Sequence, residues 1–532
     1  HQIRAGGARA SSRDIAGPVA LAMPMLELPS AAFRRPEPSF WTAVTEWFET
    51  PFSCCCVRES HGGDSIIVNV DLTDENGTES KPTLNRSRMI VHHQYCQSML
   101  DTYEMDDQVL GHGGFGSVRR ARFKGSDAWS RVVKLIRKSR SSEALVKKEI
   151  GIIRNLDHPC ICRLYETFED DAFVYLVMEY IEGAELFDYV QAAADKGERL
   201  DHEFVFNAMS QVFSALHYCH VRAVVHRDMK PENVMAQRVA KDQLSVKLID
   251  FGLATVTKNK TGLPRSKSSD LLAGTQEYSA PEVQQGAQFR PSSDMWSAGL
   301  VLHVLLLGYL PTRDVLSGLE PFSCHGSEYE SVPQSAVSLL NGLLEIDPDR
   351  RIDAEFALAE SLELGNALGT PSIKLDVMSK FTIFYKSNKL RKAALTAVAM
   401  QTANKYLLEL QKDFFKADTD GNGYLTRSEL EALVSQSDMS LDAPAYVDRV
   451  WSSIDTDASL KIEYTEWLAA ALDLGKIDAE SAIQAAFNVF DADGSGKISI
   501  SELGRVVVDA PDELASLMPQ FDTNGDGELD TQ

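Results

Sequence analysis

The sequence predicts an α+β chain in which a two-lobed domain is followed by an all-α domain of paired helix–loop–helix hands. β-Branched and aromatic runs through residues 173–178 predict a sheet in the first lobe. Apolar residues at helical spacing after Glu185 predict a helical second lobe, with a cleft between the two lobes. Short acidic loops flanked by helical stretches recur toward the C-terminus.

The length of 532 residues is too great for one compact domain. We expect a largely disordered N-terminal extension at 1–102, a two-lobed domain at 103–362, a basic junction at 363–402 and a domain of hands at 403–532. The hands are expected at 403–438, 443–475, 480–508 and 513–532, with the last one truncated. The longest apolar runs, such as 301–307, are too short to span a bilayer.

The net charge of −24 is concentrated at the C-terminus. Residues 401–532 carry 26 acidic and 9 basic side chains, a net charge of −17, whereas the preceding 400 residues carry 51 and 44, a net charge of −7. This distribution argues against nucleic acid as a partner and favours cations or basic peptides. Eight cysteines without regular spacing, together with the absence of a signal-peptide pattern, favour a reducing cytosol, so we expect a cytoplasmic protein.

The stretch HRDMKPEN at 226–233 carries the groups that phosphoryl transfer requires. That reaction needs a carboxylate to orient the attacking hydroxyl and further groups to hold phosphate and metal charge. Asp228 is the candidate for the carboxylate, Lys230 for the contact with the transferring phosphate, and Asn233 for a Mg²⁺ ligand.

Companion motifs occur in the order that such a site requires. A glycine-rich run at 110–118 fits a hairpin over nucleotide phosphates, and Lys134 in a predicted strand pairs with Glu149 on a predicted helix to hold them. Downstream, Asp250 of the run DFG is a second Mg²⁺ ligand, and the run APE at 280–282 closes the following segment. One glycine loop alone is weak support, but several motifs in order are strong support.

At this point residues 103–362 resemble the eukaryotic protein kinase family, and Lys230 with the run GTQEYSAPE at 274–282 resembles its serine/threonine branch. The resemblance implies a bilobal kinase fold with Met178 beside the adenine. It also implies that Asp294, Trp296 and Gly299 lie on the helix anchoring the catalytic loop, and that Arg351 pairs with Glu282. The nucleotide-binding residues that we predict are Leu110, Gly111, Gly113, Gly114, Phe115, Gly116, Val118, Lys134, Glu179, Ile181, Asn233 and Asp250.

Four acidic repeats predict EF-hands, because Ca²⁺ is a hard cation that takes oxygen ligands at fixed loop positions. The first loop offers Asp418, Asp420, Asn422, Tyr424 through its carbonyl, and Glu429. The third offers Asp491, Asp493, Ser495, Lys497 through its carbonyl, and Glu502.

The other two repeats depart from this pattern. The second offers Asp455, Asp457, Ser459, Lys461 and Glu466, but has Leu460 where the turn glycine belongs. Leucine is costly at positive φ, so we predict either weak Ca²⁺ binding or a purely structural hand. The fourth offers Asp522, Asn524, Asp526 and Glu528 without a twelfth-position ligand, so either the sequence is truncated or this hand binds poorly.

Between the lobes and the hands, residues 372–400 carry six basic side chains against one acid, with apolar residues at helical spacing. This pattern predicts a basic amphipathic helix of the kind that lies in the apolar groove of a calcium sensor. An ordinary packed linker helix is the alternative.

The order of kinase, basic junction and four hands resembles the calcium-dependent protein kinases of plants and protists. The resemblance implies a calcium-activated serine/threonine kinase that uses ATP, Mg²⁺ and Ca²⁺, and whose junction inhibits it until the loaded hands withdraw that segment. Two alternatives are a calcium-responsive scaffold with an idle kinase fold and a constitutively active kinase. The presence of Lys134, Asp228 and Asp250 favours the enzyme over the scaffold.

Several further features leave alternatives open. Expected partners are protein substrates with Ser or Thr, and Glu185 with Glu232 either accepts an upstream basic residue or pairs locally. Aromatic residues at 40–48 form either a docking helix or a packed patch, and membrane association through Cys54–Cys56 lacks a flanking basic run. Three prolines and two glycines at 309–333 predict a shortened substrate-side helix, and the basic, serine-rich run at 265–269 is either a phosphorylation site or a solvated loop.

Overall fold

The computed structural model describes residues 84, 86–94, 98–113, 116–124, 130–139, 143–240, 243–257, 275–365, 375–402, 405–436, 443–477, 479–507, 519, 522 and 526–529. The predictions for residues 40–48, 54–56 and 265–269 lie outside these residues, as do those for Gly114, Phe115 and Asn524. Within the part of the chain that the structure describes, no helix is long and apolar enough to cross a membrane.

The N-terminal lobe is built on a six-stranded sheet with the order β1-β5-β6-β4-β3-β2. Its strands are β1 (Val91–Gln94), β2 (Tyr103–Gly113), β3 (Gly116–Phe123), β4 (Arg131–Arg137), β5 (Leu164–Glu169) and β6 (Phe173–Glu179). Strand β1 runs parallel to β5, and the other neighbours are antiparallel. Helix α1 (Met99–Thr102) precedes β2, and helix α2 (Glu143–Ile153) follows β4.

Within the extension at 1–102, which we expect to be largely disordered, the structure describes residues 84, 86–94 and 98–102. Residues 91–94 form the edge strand β1, where the Nε2 atom of buried His93 lies 2.9 Å from Glu166 Oε2. Ser98 caps α1, because its side chain accepts a hydrogen bond from the Leu100 amide. Ordered structure therefore begins before the expected boundary.

The C-terminal lobe is mainly helical and surrounds the fully buried helix α6. Its helices are α3 (Leu186–Asp195), α4 (His202–Val221), α5 (Pro281–Gln284), α6 (Pro291–Leu307), α7 (Arg313–Leu316), α8 (Gln334–Leu343) and α9 (Ala354–Gly365). Short strands line its cleft side: β7 (Ala184–Glu185), β8 (Val224–Val225), β9 (Val234–Ala240), β10 (Gln243–Leu248) and β11 (Thr255–Val256). The predicted shortening of the substrate-side helix is confirmed, since α7 has only 4 residues.

The junction forms two helices rather than the one that the sequence predicts. These are α10 (Leu375–Tyr385) and α11 (Lys389–Gln401). Asn388 separates them and caps α11, because its side chain accepts a hydrogen bond of 2.8 Å from the Arg391 amide. Asparagine competes for backbone hydrogen bonds and favours such caps over helix interiors, which explains the break.

The hands follow as paired helix–loop–helix units. Their helices are α12 (Lys405–Ala417), α13 (Arg427–Ser435), α14 (Ala443–Ile454), α15 (Tyr464–Ala471), α16 (Ala479–Phe490) and α17 (Ile500–Val506). The loops pair through the short strands β12 (Tyr424–Leu425) with β13 (Ile462–Glu463), and β14 (Ile498–Ser499) with β15 (Glu528–Leu529). One continuous apolar core joins the lobes, the junction and the hands, so the described chain is a single packed unit from β1 onward.

Candidate active site and calcium loops

Lys134 lies at the centre of the cleft and joins two carboxylates. Strand β4 carries it, and its Nζ donates hydrogen bonds of 2.7 Å both to Glu149 Oε1 on α2 and to Asp250 Oδ1. Burial disfavours the charged ammonium, but the charges of Glu149 and Asp250 outweigh this effect and raise the pKa of Lys134. The ammonium is therefore fixed in its charged form between the two lobes.

Asp228 is held by hydrogen bonds from three neighbours. Its Oδ1 accepts hydrogen bonds of 2.9 Å from the amide and from the hydroxyl of Thr275, and its Oδ2 accepts one of 2.9 Å from Asn233 Nδ2. Lys230 Nζ lies 3.1 Å from the same Oδ2. Burial opposes ionisation, but Lys230 and the Thr275 hydrogen bonds outweigh it and lower the pKa of Asp228, so this carboxylate is ionised at neutral pH.

The buried carboxylate of Asp294 fixes the backbone of the loop that carries Asp228. Asp294 on α6 accepts hydrogen bonds of 2.8 Å and 2.9 Å from the amides of His226 and Arg227, and Arg227 adopts the unusual φ of +73°. The rings of His226 and Phe251 pack edge to face at 4.9 Å. These contacts hold the loop that carries Asp228 against the segment that carries Asp250.

The glycine-rich hairpin and the segment after β6 border the same cleft. Strands β2 and β3 pair from Gly111 with Val118 to Gly113 with Gly116. A Cβ on Gly116 would lie 1.6 Å from the Leu135 carbonyl oxygen, so only glycine allows β3 to approach β4 here. Glu179 ends β6 and accepts a 2.8 Å hydrogen bond from Lys247, whereas the Leu110 side chain is exposed.

The first and third calcium loops share one arrangement of their carboxylates. In each, three of the predicted ligands bring carboxylate oxygens within 4.8 Å of one another: Asp418, Asp420 and Glu429, and Asp491, Asp493 and Glu502. The twelfth-position glutamate holds both ends of its loop, since Glu429 accepts 2.9 Å hydrogen bonds from the Thr419 and Thr426 amides. Glu502 accepts equivalent bonds of 2.8 Å from Ala492 and Ser499.

Asp418 shows that these residues fit a cation. Its carboxylate is buried, and its Oδ1 has no hydrogen-bond partner among the described residues. Burial, reinforced by the charges of Asp420 and Glu429, raises the pKa of the Asp418 carboxyl. A hard divalent cation supplies the partner that such an oxygen lacks.

Comparison with known proteins agrees with this geometry. Residues 104–362 match the protein kinase domain, and residues 412–434 and 483–508 match the EF hand. Calcium-dependent protein kinase 5 of Plasmodium falciparum (isolate 3D7) is 32% identical over 490 residues, which cover 88% of this chain and 84% of the relative. Calcium-dependent protein kinase 3 of Plasmodium berghei (strain Anka) is 33% identical over 457 residues, covering 82% and 80%. The chain belongs to the calcium-dependent protein kinase family.

A solved structure of lower similarity is the twitchin kinase fragment of C. elegans, which is 29% identical and covers 53% of this chain and 61% of its own, with a TM-score of 0.44. The family establishes the activity, which is calcium-activated phosphorylation of serine or threonine in proteins with ATP and a divalent metal. The family and the bilobal kinase fold followed by hands are as the sequence predicted.

The second hand of this calcium-dependent kinase keeps the loop geometry without the usual glycines. Ala458 and Leu460 adopt φ values of +58° and +63°, and the Leu460 amide still donates a 3.1 Å hydrogen bond to Asp455 Oδ2. In the first loop, Gly423 makes the same bond to Asp418 at 2.9 Å. Asp455, Asp457 and Glu466 also bring their oxygens within 4.8 Å of one another, so the three carboxylates cluster despite the backbone strain.

The fourth hand is described only in part. The Gly527 amide donates a 2.8 Å hydrogen bond to Asp522 Oδ2, which is the same loop closure as in the other three. The Lys497 ammonium of the third loop contacts Asp526 and lies 3.8 Å from Glu528. The Ca²⁺ ligation predicted for this hand stays a prediction.

Two residues that contact the predicted site were not assigned a role from the sequence. Thr275 binds Asp228 through two hydrogen bonds, and its hydroxyl accepts one of 2.8 Å from Lys230. Its position in the GTQEYSAPE run was the only signal. Lys247, which binds Glu179 beside the predicted nucleotide site, had no sequence signal because pairing across strands depends on the fold.

Proposed function

We propose that transfer of the ATP γ-phosphate is carried out by the residues gathered around Lys134 and Asp228. The two 2.7 Å hydrogen bonds of Lys134 to Glu149 and Asp250 carry this proposal, because they join both lobes in the arrangement that phosphoryl transfer requires. Lys134 would hold the α- and β-phosphates, and Asp228 would orient the attacking hydroxyl. Lys230 would stabilise the negative charge that moves with the transferring phosphate.

The divalent metal is proposed to be Mg²⁺, held by Asn233 and Asp250. Burial opposes ionisation of Asp250, but Lys134 outweighs it and lowers the pKa of this carboxyl, which keeps it in the charged form that a metal needs. Asn233 directs its Nδ2 toward Asp228, which leaves its carbonyl oxygen for a hard cation. When bound, the metal neutralises charge on the phosphate oxygens.

The preferred substrate is proposed to carry a basic residue upstream of its Ser or Thr. Burial raises the pKa of Glu185, and the charges of Asp188 and Glu232 add to this effect. Among the described residues, Glu232 Oε2 is buried without a hydrogen-bond partner. Two crowded carboxylates of this kind are stabilised by a guanidinium, which offers several donors in one plane.

Regulation is proposed to act through the junction helices α10 and α11. Phe381 and Phe384 are fully buried, and Phe381 packs edge to face on Trp467 of the second hand at 5.3 Å. The Tyr446 hydroxyl donates a 2.8 Å hydrogen bond to the Met378 carbonyl. The contact of the hands with the apolar face of the junction supports assigning this arrangement to the released state, which Ca²⁺ would favour through its higher affinity for these hands.

The test is phosphate transfer from ATP to a serine peptide with an upstream arginine, measured across a free-Ca²⁺ series in Mg²⁺. We expect activity to rise with Ca²⁺, to disappear in Asp228→Asn, and to lose its Ca²⁺ response in the double variant Glu429→Gln with Glu502→Gln. Glu232→Gln should raise KM about tenfold for the arginine peptide and not for an alanine-substituted control peptide. Activity that is independent of Ca²⁺ would exclude the regulatory part, and absence of transfer under all conditions would favour the scaffold.

A further inference from the structure

The calcium loop of the first hand lies directly on helix α4 of the kinase C-terminal lobe. The Ser214 hydroxyl donates a 2.9 Å hydrogen bond to the carbonyl of Gly421, the fourth residue of that loop. Ser214 Oγ also lies 3.1 Å from His158 Nε2. Both kinase side chains are buried, so this contact is closed to solvent.

At Gly423 the backbone of this loop lies in direct contact with the kinase side chains His158 and Tyr218. Gly423 has a φ of +82°, and a Cβ at this position would lie 2.2 Å from a carbon of the His158 ring and 2.8 Å from one of Tyr218. No side chain of the loop separates its backbone from these two kinase residues at this point. A small movement of the loop would therefore open or close the contact.

The second hand contacts the same face of the kinase through the other half of its loop. Thr465, at position eleven, donates from its amide and hydroxyl to Asp157 at 2.9 Å and 2.8 Å. Glu463, at position nine, accepts a 2.8 Å hydrogen bond from Arg222, whose guanidinium stacks 3.7 Å above the Tyr218 ring. Asp157 and Thr465 are both buried.

The kinase therefore contacts the first half of the first calcium loop and the second half of the second calcium loop. Strands β12 and β13 fix the two loops to each other, with Tyr424 opposite Glu463. Within each loop, the twelfth-position glutamate sets the distance between the halves, as Glu466 does by accepting from the Thr456 and Glu463 amides at 2.6 Å and 3.0 Å. A bound cation ties the same halves together through its ligands.

We propose that the calcium loops of the first two hands are themselves the surface by which the hands dock on the kinase, against helix α4 and the loop between α2 and β5, so that docking and Ca²⁺ loading strengthen each other. The proposal rests on the proposed function and names the part of the kinase that senses loading. Since coupling between two binding events is reciprocal, a kinase side chain that contacts the loops must change their apparent affinity for Ca²⁺.

Uncharged substitutions test this coupling most directly, because a change at Arg222 would alter the electrostatic attraction of Ca²⁺ as well as docking. Ser214→Ala removes the kinase side of the first contact, and Thr465→Val removes a hydroxyl on the side of the hand. Ser210→Ala is the matched control, because Ser210 is buried on the same helix and, among the described residues, its hydroxyl bonds only to the Asn207 carbonyl. Asp157→Asn is a second, nearly isosteric change on the kinase side; because it also removes a negative charge, its result is interpreted together with that of Ser214→Ala.

The measurement is ⁴⁵Ca²⁺ binding by equilibrium dialysis to the full chain carrying Glu502→Gln, which suppresses binding at the third hand. Loss of one buried hydrogen bond predicts that Ser214→Ala and Thr465→Val each raise the half-saturating free Ca²⁺ about three- to tenfold. Ser210→Ala should leave it unchanged. Phosphate transfer at saturating Ca²⁺, assayed without Glu502→Gln, reports whether each variant is folded.

Ca²⁺ binding equal to that of Ser210→Ala in both Ser214→Ala and Asp157→Asn would overturn the proposal. A shift confined to Thr465→Val would also overturn it, because the effect would then belong to the hand alone. If the kinase-side variants shift Ca²⁺ binding while Ca²⁺ fails to activate the unmodified chain, docking stands and the proposed regulation fails. Activation by Ca²⁺ without any shift in the variants would refute docking through the loops and leave the proposed regulation standing.

Discussion

Replacing Leu460 with glycine should strengthen the second hand. Leu460 has a φ of +63°, a region where the Cβ of an L-residue is crowded by its own backbone. Its side chain is 60% exposed, so its removal sacrifices little buried apolar surface. Its amide hydrogen bond to Asp455 does not depend on the side chain and should persist in the variant.

The expected gain follows from two opposing terms. The left-handed conformation costs an L-residue roughly 1–2 kcal/mol, a cost that glycine avoids. Glycine is also more flexible in the unfolded chain, which offsets about 0.4–1 kcal/mol of this gain. The net stabilisation is therefore about 0.5–1 kcal/mol, equivalent to about a two- to fivefold change in an equilibrium constant.

Two measurements on the full chain locate this gain. If the loop holds its backbone without Ca²⁺, the free energy of unfolding in chelator should rise, and if it adopts the backbone on loading, the affinity of the second hand should rise. Leu460→Ala is the control, since it removes most of the same side chain but keeps the Cβ. Equal behaviour of Leu460→Gly and Leu460→Ala in both measurements would refute the strain argument.

Three further substitutions test other contacts. Asp294→Asn leaves one acceptor oxygen for the two backbone amides of the catalytic loop. We therefore expect kcat to fall about 10- to 100-fold while KM for ATP changes little. Steady-state kinetics with an unchanged kcat would contradict this. Arg351→Met leaves Glu282 without its charged partner in a mostly buried pair and should cost roughly 3–5 kcal/mol in urea unfolding, part of which Glu282→Gln should restore. A double variant as unstable as the single one would contradict this. Arg131→Met removes hydrogen bonds of 2.8 Å and 3.1 Å to Gln401 at the end of α11. Half-maximal activation should then need more Ca²⁺, with the maximal rate unchanged. An unaltered activation curve would show that these hydrogen bonds do not contribute to activation.

The fold and most of the cleft could be predicted because their signals are local in sequence. Asp228, Lys230 and Asn233 lie within six residues on one loop, and the spacing alone brings their side chains together. The pairing of Lys134 with Glu149 required only a strand followed by a helix. The predicted cost at Leu460 also matched a local property, its positive φ.

The break in the junction was missed for a different reason. Basic and apolar residues continue at helical spacing on both sides of Asn388, so periodicity favoured one helix. The preference of asparagine for a helix cap was the competing signal, and it prevailed because its side chain could bond the Arg391 amide. Weighing capping residues above periodicity would have placed the boundary.

The contacts between the hands and the kinase had no sequence signal. Asp157 and Thr465 are separated by 308 positions, and neither belongs to a motif of the kinase or of the EF-hand ligands. Ser214 is one of several small residues inside a buried helix. Only the fold shows that its hydroxyl bonds a calcium loop, whereas the hydroxyl of Ser210 bonds its own helix. The motifs therefore identify which chemistry each domain performs, whereas the coupling between the domains depends on ordinary side chains that only their packing selects.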